Sequence, residues 1–265
     1  MKQYLRILLF CFIISSSLWP ETAQDYFDVI RTCAIEGYVG ASYSADAEAM
    51  ARSVHPQLIK YRVRSSVTVH SMSQKQLVYN QIKRAKNNQF VNWKKLNLDF
   101  KVLDLTKNTA AVRITNYRFW DLVFLTKHDS QWYVTNVVWD LPKTPEAGTK
   151  QDLIQTAEDY LTAIYNRDIK KLDKILHPKL DMRKPLSKDT VDSVGKDWLI
   201  ERVKNKKWKK IITKEKLDIN VTVLDIYKSY ASVKLSSIAG TEYLHFKYFE
   251  PQWYLVNGLW ERDSE

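Results

Sequence analysis

The 265-residue sequence is poor in cysteine and has one long apolar run, which lies near its start. Of its two cysteines, Cys11 lies inside that run and Cys33 follows it, so removal of the run would leave a single thiol. A single thiol forms no intrachain disulfide, and the fold must therefore depend on its hydrophobic cores. Tyr26, Ile30 and Gly37 lie at helical spacing around Cys33, which predicts a small buried side chain rather than a nucleophile.

Motifs that define common catalytic sites are also absent. The sequence has no Gly-rich phosphate loop, no Gly-x-Ser-x-Gly elbow and no His-Glu-x-x-His. His55 and His177 each precede a proline, and neither has a second His or Cys at metal-ligand spacing. We therefore expect no metal site and no cofactor, and we interpret both histidines as structural.

The first residues have the composition of a secretory signal peptide, which we place at 1–23. Lys2 and Arg6 precede the apolar run 7–14, and small residues follow at 15–17. The run is too short to span a bilayer, which takes about 20 apolar residues. The prediction is a protein exported to the periplasm or secreted. The alternative is a run that stays uncleaved as a membrane anchor.

The most informative pattern is a segment that occurs twice. Residues 131–139 read QWYVTNVVW, and residues 252–260 read QWYLVNGLW, 121 positions later with both tryptophans in phase. The His-Pro pair at 55–56 returns at 177–178, with an offset of 122. A period of this length corresponds to a whole domain, since most domains have about 100 to 150 residues. The sequence therefore predicts a duplicated domain.

Each repeat opens with apolar residues at helical spacing and closes with alternating segments that indicate strands. Helices followed by antiparallel strands are typical of an α+β domain. The predicted domains are 24–141 and 151–265, with a linker at 142–150 that contains Pro and Gly. The predicted helices are 25–43, 45–54 and 73–86, then 152–165, 169–176 and 195–206. The predicted strands are 96–105, 109–117, 119–127 and 131–139, then 217–226, 230–238, 241–248 and 252–260.

This order of elements, with a His-Pro pair after the second helix and a last strand Gln-Trp-Tyr-x-x-Asn-x-x-Trp, resembles the nuclear transport factor 2-like (SnoaL-like) fold. The chain is most similar to the branch named "putative lumazine-binding", whose last hairpin is matched by residues 121–125 and 132–136. The resemblance implies two tandem cone-shaped domains, each with N-terminal helices packed on a curved antiparallel sheet around a pocket. It also implies an intramolecular pseudo-dimer through the outer sheet faces. The family includes isomerases, dehydratases and binding proteins.

Strand parity selects the candidate pocket residues, because successive side chains of a strand lie on opposite faces of a sheet. A four-residue turn at 128–131 would pair Asp121 with Val138 and would place Asp121 and Asn136 on one face. A carboxylate in an apolar pocket suits general acid or base chemistry, because desolvation favours its protonated form. The alternative is a solvated carboxylate at a strand end, and the change from Asp to Glu between the repeats argues against a catalytic base. The candidate pocket residues are Asp121, Asn136 and Trp132, with Glu242, Asn257 and Trp253 as their equivalents.

Two clusters of positive side chains lie at equivalent places near the third helix of each repeat, in a chain of net charge +11. Such clusters can bind nucleic acid, but for an exported protein we expect an anionic envelope glycan or lipid surface instead. The alternative is a solvated helix face without a partner. The clusters consist of Lys83, Arg84, Lys86, Lys94 and Lys95, and of Lys204, Lys206, Lys207, Lys209 and Lys210.

The sequence is most consistent with an exported, non-enzymatic binding module that has one conical pocket per domain for a small apolar molecule or peptide. One alternative is a small-molecule isomerase or dehydratase that uses Asp121 as general base. Another is an envelope scaffold that acts through its basic surface. Nucleic acid is not an expected partner.

Overall fold

The computed structural model describes residues 23–143, 148–205 and 214–261, so the predicted signal peptide lies almost entirely outside the described residues. In the first domain the chain forms helices before most of its strands, in the predicted order. The first domain contains α1 (Ala23–Arg31), a π-helical segment (Thr32–Gly40), α2 (Ala41–Ser44), α3 (Ala47–Ser53), β1 (Val54–Val63), β2 (Val69–Ser73), α4 (Gln74–Lys86), a 3₁₀ turn (Trp93–Lys95), β3 (Asp99–Leu105), β4 (Thr109–Thr115), β5 (Trp120–His128) and β6 (Gln131–Asp140).

The second domain repeats this order, and the predicted α+β class is confirmed. Equivalent aspartates cap the N-termini of α3 and α6. Asp46 accepts the backbone N–H of Ala49 at 2.8 Å, and Asp168 accepts that of Lys171 at 3.0 Å. The second domain contains α5 (Lys150–Asn166), α6 (Ile169–Ile175), β7 (Leu176–Pro185), β8 (Val191–Val194), α7 (Lys196–Asn205), α8 (Lys214–Leu217), β9 (Asn220–Tyr227), β10 (Tyr230–Ser237), β11 (Gly240–Phe249) and β12 (Gln252–Glu261).

Each domain has one six-stranded sheet, in the order β2-β1-β6-β5-β4-β3 and β8-β7-β12-β11-β10-β9. β1 lies parallel to β6, and β7 lies parallel to β12, whereas all other neighbouring strands are antiparallel. The prediction of four strands per domain is therefore wrong, because β1, β2 and their equivalents are also strands. Their pattern is hidden by charge: β1 alternates apolar residues with Lys60 and Arg62, which lie on the face toward the helices.

The helices of each domain pack on the inner face of its own sheet and form its core. Cys33 belongs to the core of the first domain, where its Sγ lies 3.2 Å from the backbone oxygen of Trp132. Burial raises the pKa of the Cys33 thiol to about 12, so the thiol stays protonated and unreactive. The position is that of a small buried side chain.

A β-bulge in the hairpin of β5 and β6 decides which side chains face the helices. Near the turn, Lys127 pairs with Trp132 as predicted. Farther along, β6 contains one extra residue, Thr135, and every later pair is shifted by one position. Because side chains alternate along a strand, the shift moves the rest of β6 to the faces opposite to those predicted. The second domain has the same bulge at Val256, between β11 and β12.

The bulge separates two candidate residues that parity had placed on one face. Asp121 lies opposite Trp139, so the predicted pairing of Asp121 with Val138 is wrong. Asn136 lies opposite Phe124, on the other side of the sheet. Asp121 therefore faces the helices of its own domain, and Asn136 faces the second domain.

The outer faces of the two sheets contact each other, and the His-Pro pairs take part in this contact. His55 Nε2 lies 2.9 Å from the backbone oxygen of Ser187, in the turn between β7 and β8. His177 Nε2 lies 3.0 Å from that of Ser65, in the turn between β1 and β2. Each Nδ1 accepts a backbone N–H from the residue two positions later, so each ring donates from Nε2. Each buried histidine thus joins its domain to the hairpin of the other.

Two ion pairs repeat the same exchange between the domains. Arg113 on β4 donates to Asp225 Oδ2 on β9 at 2.8 Å, and Lys234 on β10 donates to Asp104 Oδ2 on β3 at 2.8 Å. Since Lys234 is the equivalent of Arg113 and Asp225 of Asp104, the same contact is made in both directions. Reciprocal contacts of this kind characterise two-fold interfaces. The buried apolar part of the contact has two clusters, which consist of Tyr61, Val63, Trp120, Leu122, Val138, Tyr230 and Val256, and of Ala111, Phe124, Tyr243 and Leu259.

Candidate functional site

The first domain contains a cavity of about 550 Å³ between its helices and the inner face of its sheet. The lining includes Asp121, whose exposed fraction is only 1%. Tyr38 Oη donates to Asp121 Oδ2 at 2.8 Å, and Lys60 Nζ lies 3.1 Å from both carboxylate oxygens. Lys60 also donates to Tyr38 Oη. The π-helical segment, β1 and β5 thus bring together a phenol, an ammonium group and a carboxylate that are far apart in the sequence.

The buried ion pair of Lys60 and Asp121 sets the electrostatics of this site. Burial, together with the negative charge of Asp121, raises the pKa of Tyr38 well above its usual value, so the phenol stays protonated. Burial lowers the pKa of Lys60, and the attraction of Asp121 opposes this effect. Both oxygens of Asp121 already accept hydrogen bonds from these donors. The geometry therefore favours an electrostatic role for Asp121 over that of a general base.

Aromatic rings and positive charges line the rest of the cavity. The centroid of the Trp139 ring lies 5.0 Å from Lys60 Nζ, which is a cation–π distance. Arg62, which lies outside the lining, has its Cζ 5.3 Å from the same centroid. Near Ser42 and Tyr43, Arg84 Cζ lies 5.8 Å from the centroid of the Tyr43 ring. The apolar walls are formed by Val39, Met72, Leu77 and Phe119.

The second domain has a cavity of about 450 Å³ at the equivalent place. Glu242 replaces Asp121, and Tyr160 Oη donates to Glu242 Oε2 at 3.1 Å. Met182 stands where the first domain has Lys60, so the ammonium partner is missing from this position. Burial raises the pKa of Glu242 to about 7, and the hydrogen bond from Tyr160 opposes this effect. The carboxyl group of Glu242 therefore titrates near neutral pH.

The two tryptophans among the predicted pocket residues belong to the cores and line neither cavity. Trp132 packs edge-on against Tyr26, with 6.3 Å between the ring centroids. Trp253 is buried at the equivalent place of the second core. The bulge turns Trp139 and Trp260 toward the helices, and these two tryptophans line the cavities. Trp132 and Trp253 lie before the bulge and keep the predicted face, but they pack into the cores.

The two predicted asparagines lie in the contact between the domains, away from both cavities. Asn136 Nδ2 donates to the backbone oxygen of Gly258 at 3.0 Å, and Asn257 Oδ1 lies 3.0 Å from His245 Nδ1. The His245 ring stacks on Phe124, with 3.7 Å between centroids and 6° between planes. Burial lowers the pKa of His245 to about 3, and its hydrogen bond to Asn257 opposes this effect. The asparagines consequently join the two sheets, because the bulge places them on the outer faces.

The basic residues are only partly within the described chain. Arg84 and Lys83 line the first cavity, while Lys86, Lys94 and Lys95 are exposed. Binding of these side chains to an anionic surface stays a prediction. Lys204 forms an exposed ion pair of 3.8 Å with Glu201, and the remaining members of its cluster lie outside the described residues: Lys206, Lys207, Lys209 and Lys210.

Within residues 23–143, 148–205 and 214–261, no group of three or more His, Cys, Asp or Glu side chains is placed to hold a metal ion. Across the same ranges, no helix combines the length and the apolar composition needed to cross a membrane.

The fold and the paired cavities define a tandem protein of the nuclear transport factor 2-like class. The sequence profile of the family described as "Putative lumazine-binding" matches residues 26–140 and again residues 149–261. The chain belongs to this family, and the predicted tandem of two such domains is confirmed. A comparison with curated proteins gives no match.

Solved structures similar to this chain include several NTF2-like proteins. One of unknown function from Silicibacter pomeroyi is 13% identical with a TM-score of 0.37, over 45% of this chain and 98% of that chain. One from Cytophaga hutchinsonii is 20% identical with a TM-score of 0.31, over 44% of this chain and 100% of that chain. One from Bacteroides fragilis is 12% identical with a TM-score of 0.27, over 87% and 98%. Likenesses of this strength carry no information on function.

Proposed function

We propose that the protein is an exported, non-enzymatic binding module that holds a small molecule in the cavity of each domain. The observation that carries the proposal is the pair of equivalent cavities, each with apolar and aromatic walls around one carboxyl–tyrosine pair. Pockets of this size, mostly apolar with a few placed polar groups, are typical small-molecule sites. Export is supported by the signal-peptide composition of residues 1–23.

The family name favours a planar heteroaromatic ligand of the lumazine type. Such a ring can stack on Trp139 or Trp260 and can donate a ring N–H to the carboxyl group in the same cavity. A peptide is the other predicted ligand, and its backbone N–H and C=O groups would each need a hydrogen-bond partner in the cavity. In this proposal the two domains form an internal pseudo-dimer, which the reciprocal contacts between the sheets support.

The first test is to purify the protein from its own host and to look for a retained small molecule by native mass spectrometry. The second is to titrate the purified protein with lumazine by calorimetry. Trp139→Ala and Trp260→Ala each remove one aromatic wall, so we expect each change to lower the stoichiometry from two sites to one. Tyr79→Ala is the matched control, because this ring is 64% exposed and lines neither cavity. An apo protein that binds no lumazine, or tryptophan variants with unchanged binding, would contradict the proposal.

A second candidate function is that of a small-molecule isomerase or dehydratase, and one observation on Glu242 favours it. This carboxyl group has a pKa near 7, and Met182 occupies the position where Lys60 pairs with Asp121 in the first domain, so Glu242 suits proton transfer better than Asp121 does. If the protein is such an enzyme, Glu242→Gln abolishes turnover of the molecule retained in the native protein and leaves its binding intact. Equal loss of both would argue for binding alone.

A further inference from the structure

A third cavity lies between the domains, separate from the two conical cavities. It measures about 540 Å³ and lies where the ends of β1 and β6 meet the second domain. One wall carries Lys247, a residue of β11 that is only 5% exposed. Position 126, the equivalent of Lys247 in the first domain, is Thr126, so this feature belongs to one side of the protein alone.

The surroundings of Lys247 are unusual for a buried ammonium group. Its Nζ donates to Ser229 Oγ, a neutral hydroxyl. The same Nζ lies 4.1 Å from the centroid of the Tyr230 ring and 5.3 Å from that of Phe249. Aromatic faces stabilise a cation partly, but they do not neutralise it.

The nearby carboxylate is already occupied. Asp140 Oδ1 accepts Arg62 Nε at 2.7 Å and the backbone N–H of Leu141 at 2.8 Å. Lys247 itself forms no direct ion pair with any residue that the structure describes, and the attraction of Asp140 only partly offsets its burial and the repulsion of Arg62. A buried charge without a counter-charge is costly, and proteins usually compensate it with a partner or a ligand.

The rim of the groove adds positive charge. Arg64 and Lys143 are exposed there and form no ion pair with another described residue. Glu250 is the one acidic side chain of the lining besides Asp140, so the groove keeps an excess of positive charge. The Tyr248 side chain supplies an apolar surface beside these charges.

We propose that this groove binds a small organic anion, whose carboxylate or phosphate group meets Lys247 while its apolar part lies against Tyr248 and Phe249. The anion supplies the counter-charge that the ammonium group lacks. Arg64 and Lys143 attract it to the groove, because like charges on one side of a cleft raise the local concentration of the opposite ion. This site is independent of the ligands proposed for the two conical cavities.

The test is calorimetry on the whole folded protein with three probes: inorganic phosphate, benzoate, and benzamide as the uncharged match of benzoate. We expect phosphate or benzoate to bind, benzamide not to bind, and the affinity to fall as salt is added. Lys247→Met keeps an unbranched side chain that is one atom shorter and removes its charge, and we expect about tenfold weaker binding. Lys75→Met is the control, because Lys75 is exposed on α4, away from the groove, and carries the same charge.

The two anions separate the ligand classes. Binding of benzoate alone indicates an organic carboxylate, binding of phosphate alone indicates a phosphorylated ligand, and both results support the site if Lys247 is required. Binding that persists in Trp139→Ala excludes the first conical cavity as its source. If Lys247→Met does not fold, Arg64→Gln combined with Lys143→Gln tests the same groove through two exposed residues. Absence of anion binding, or equal affinity in all variants, overturns the proposal.

Discussion

The two cavities occupy the same place in two copies of one fold, yet they differ in charge. In the first, Asp121 forms a buried ion pair with Lys60 and accepts a hydrogen bond from Tyr38. In the second, Glu242 accepts a hydrogen bond from Tyr160, and Met182 replaces the lysine. One residue on the first strand of each sheet therefore decides whether the carboxyl group opposite it is held as a charged partner or titrates near neutral pH.

The comparison shows how two copies of one domain can keep the arrangement of a cavity and differ in its charged groups. Both cavities keep a tyrosine on a helix that precedes the sheet, a tryptophan on the last strand and a carboxyl group on the neighbouring strand. Beside the carboxyl group, the first cavity has the ammonium group of Lys60 and the second has the thioether of Met182. A neutral carboxyl group can donate a hydrogen bond, whereas the carboxylate of an ion pair can only accept, so we expect the ligands proposed for the two cavities to differ in the atoms that meet these groups.

The largest expected effect comes from making the first cavity resemble the second. Lys60→Met removes the cation that faces Asp121, and a buried carboxylate left without its partner costs about 3 to 5 kcal/mol. We expect the free energy of unfolding to fall by about that amount in urea denaturation. Lys60→Met combined with Asp121→Asn should recover much of the loss, because no charge is then left unpaired. Equal stability of the wild type and Lys60→Met would show that solvent reaches Asp121 and that the carboxylate does not need Lys60 as a partner.

A second difference between the repeats predicts the response to acid. His245 stacks on its own equivalent, Phe124, and its pKa falls from an ordinary 6.5 to about 3. Between these values the unfolded chain binds a proton that the folded chain does not, so stability decreases as pH falls below 6.5. At about pH 4 the loss amounts to about 3 kcal/mol.

The His245→Phe variant makes the two repeats alike at this position and isolates the effect. We expect its stability to depend less on pH than that of the wild type between about pH 4 and 7, measured by thermal unfolding at several pH values. Parallel curves for both proteins would mean that other groups, such as His55 and His177, carry the whole acid response.

Glu242 gives an effect of the opposite sign. Its pKa in the folded protein, about 7, lies above the ordinary 4.5, so its contribution to stability is present below about 4.5 and is lost as pH rises through 7. Because the residue is partly exposed to the cavity, we expect a loss of about 2 kcal/mol by about pH 9. Glu242→Gln keeps a polar group near Tyr160 and should remove this dependence. Glu36→Gln, at an exposed carboxyl group, should leave it unchanged.

The sequence predicted the architecture better than the site, for physical reasons. The repeat and the helical spacing come from core packing, which leaves a periodic pattern. Lys60 was missed because its strand carries Lys60 and Arg62 on the inner face, and charged residues hide the alternation of Ile59, Tyr61 and Val63. The alternation of Ile59, Tyr61 and Val63 is the signal in the sequence that could have identified β1.

The bulge at Thr135 left no comparable signal. A single extra residue reverses strand parity, and it does so without Gly or Pro to mark the place. For this reason the prediction places Asn136 in the pocket and leaves out Trp139, which lines it. Trp132 lies before the bulge and on the predicted face, but it packs into the core beside Tyr26. The second repeat contains the same bulge at Val256, and its Gly258, an isolated glycine inside the strand pattern, is the one signal in the sequence that could have indicated it.

The smallest expected effect on stability comes from the converse exchange, Met182→Lys, which gives the second cavity the lysine of the first. The new ammonium group would face Glu242, so its desolvation is offset by the new ion pair, and we expect stability to change by less than about 1.5 kcal/mol. The titration should change far more, because a positive charge within a few ångströms lowers the pKa of a carboxyl group by about 1 to 3 units. The pKa of Glu242, followed by carbon NMR of its carboxyl group, should fall clearly below 7. A pKa that stays near 7 in a folded Met182→Lys protein would show that the side chain at this position does not control the carboxyl group, and the explanation of the difference between the two cavities would be wrong.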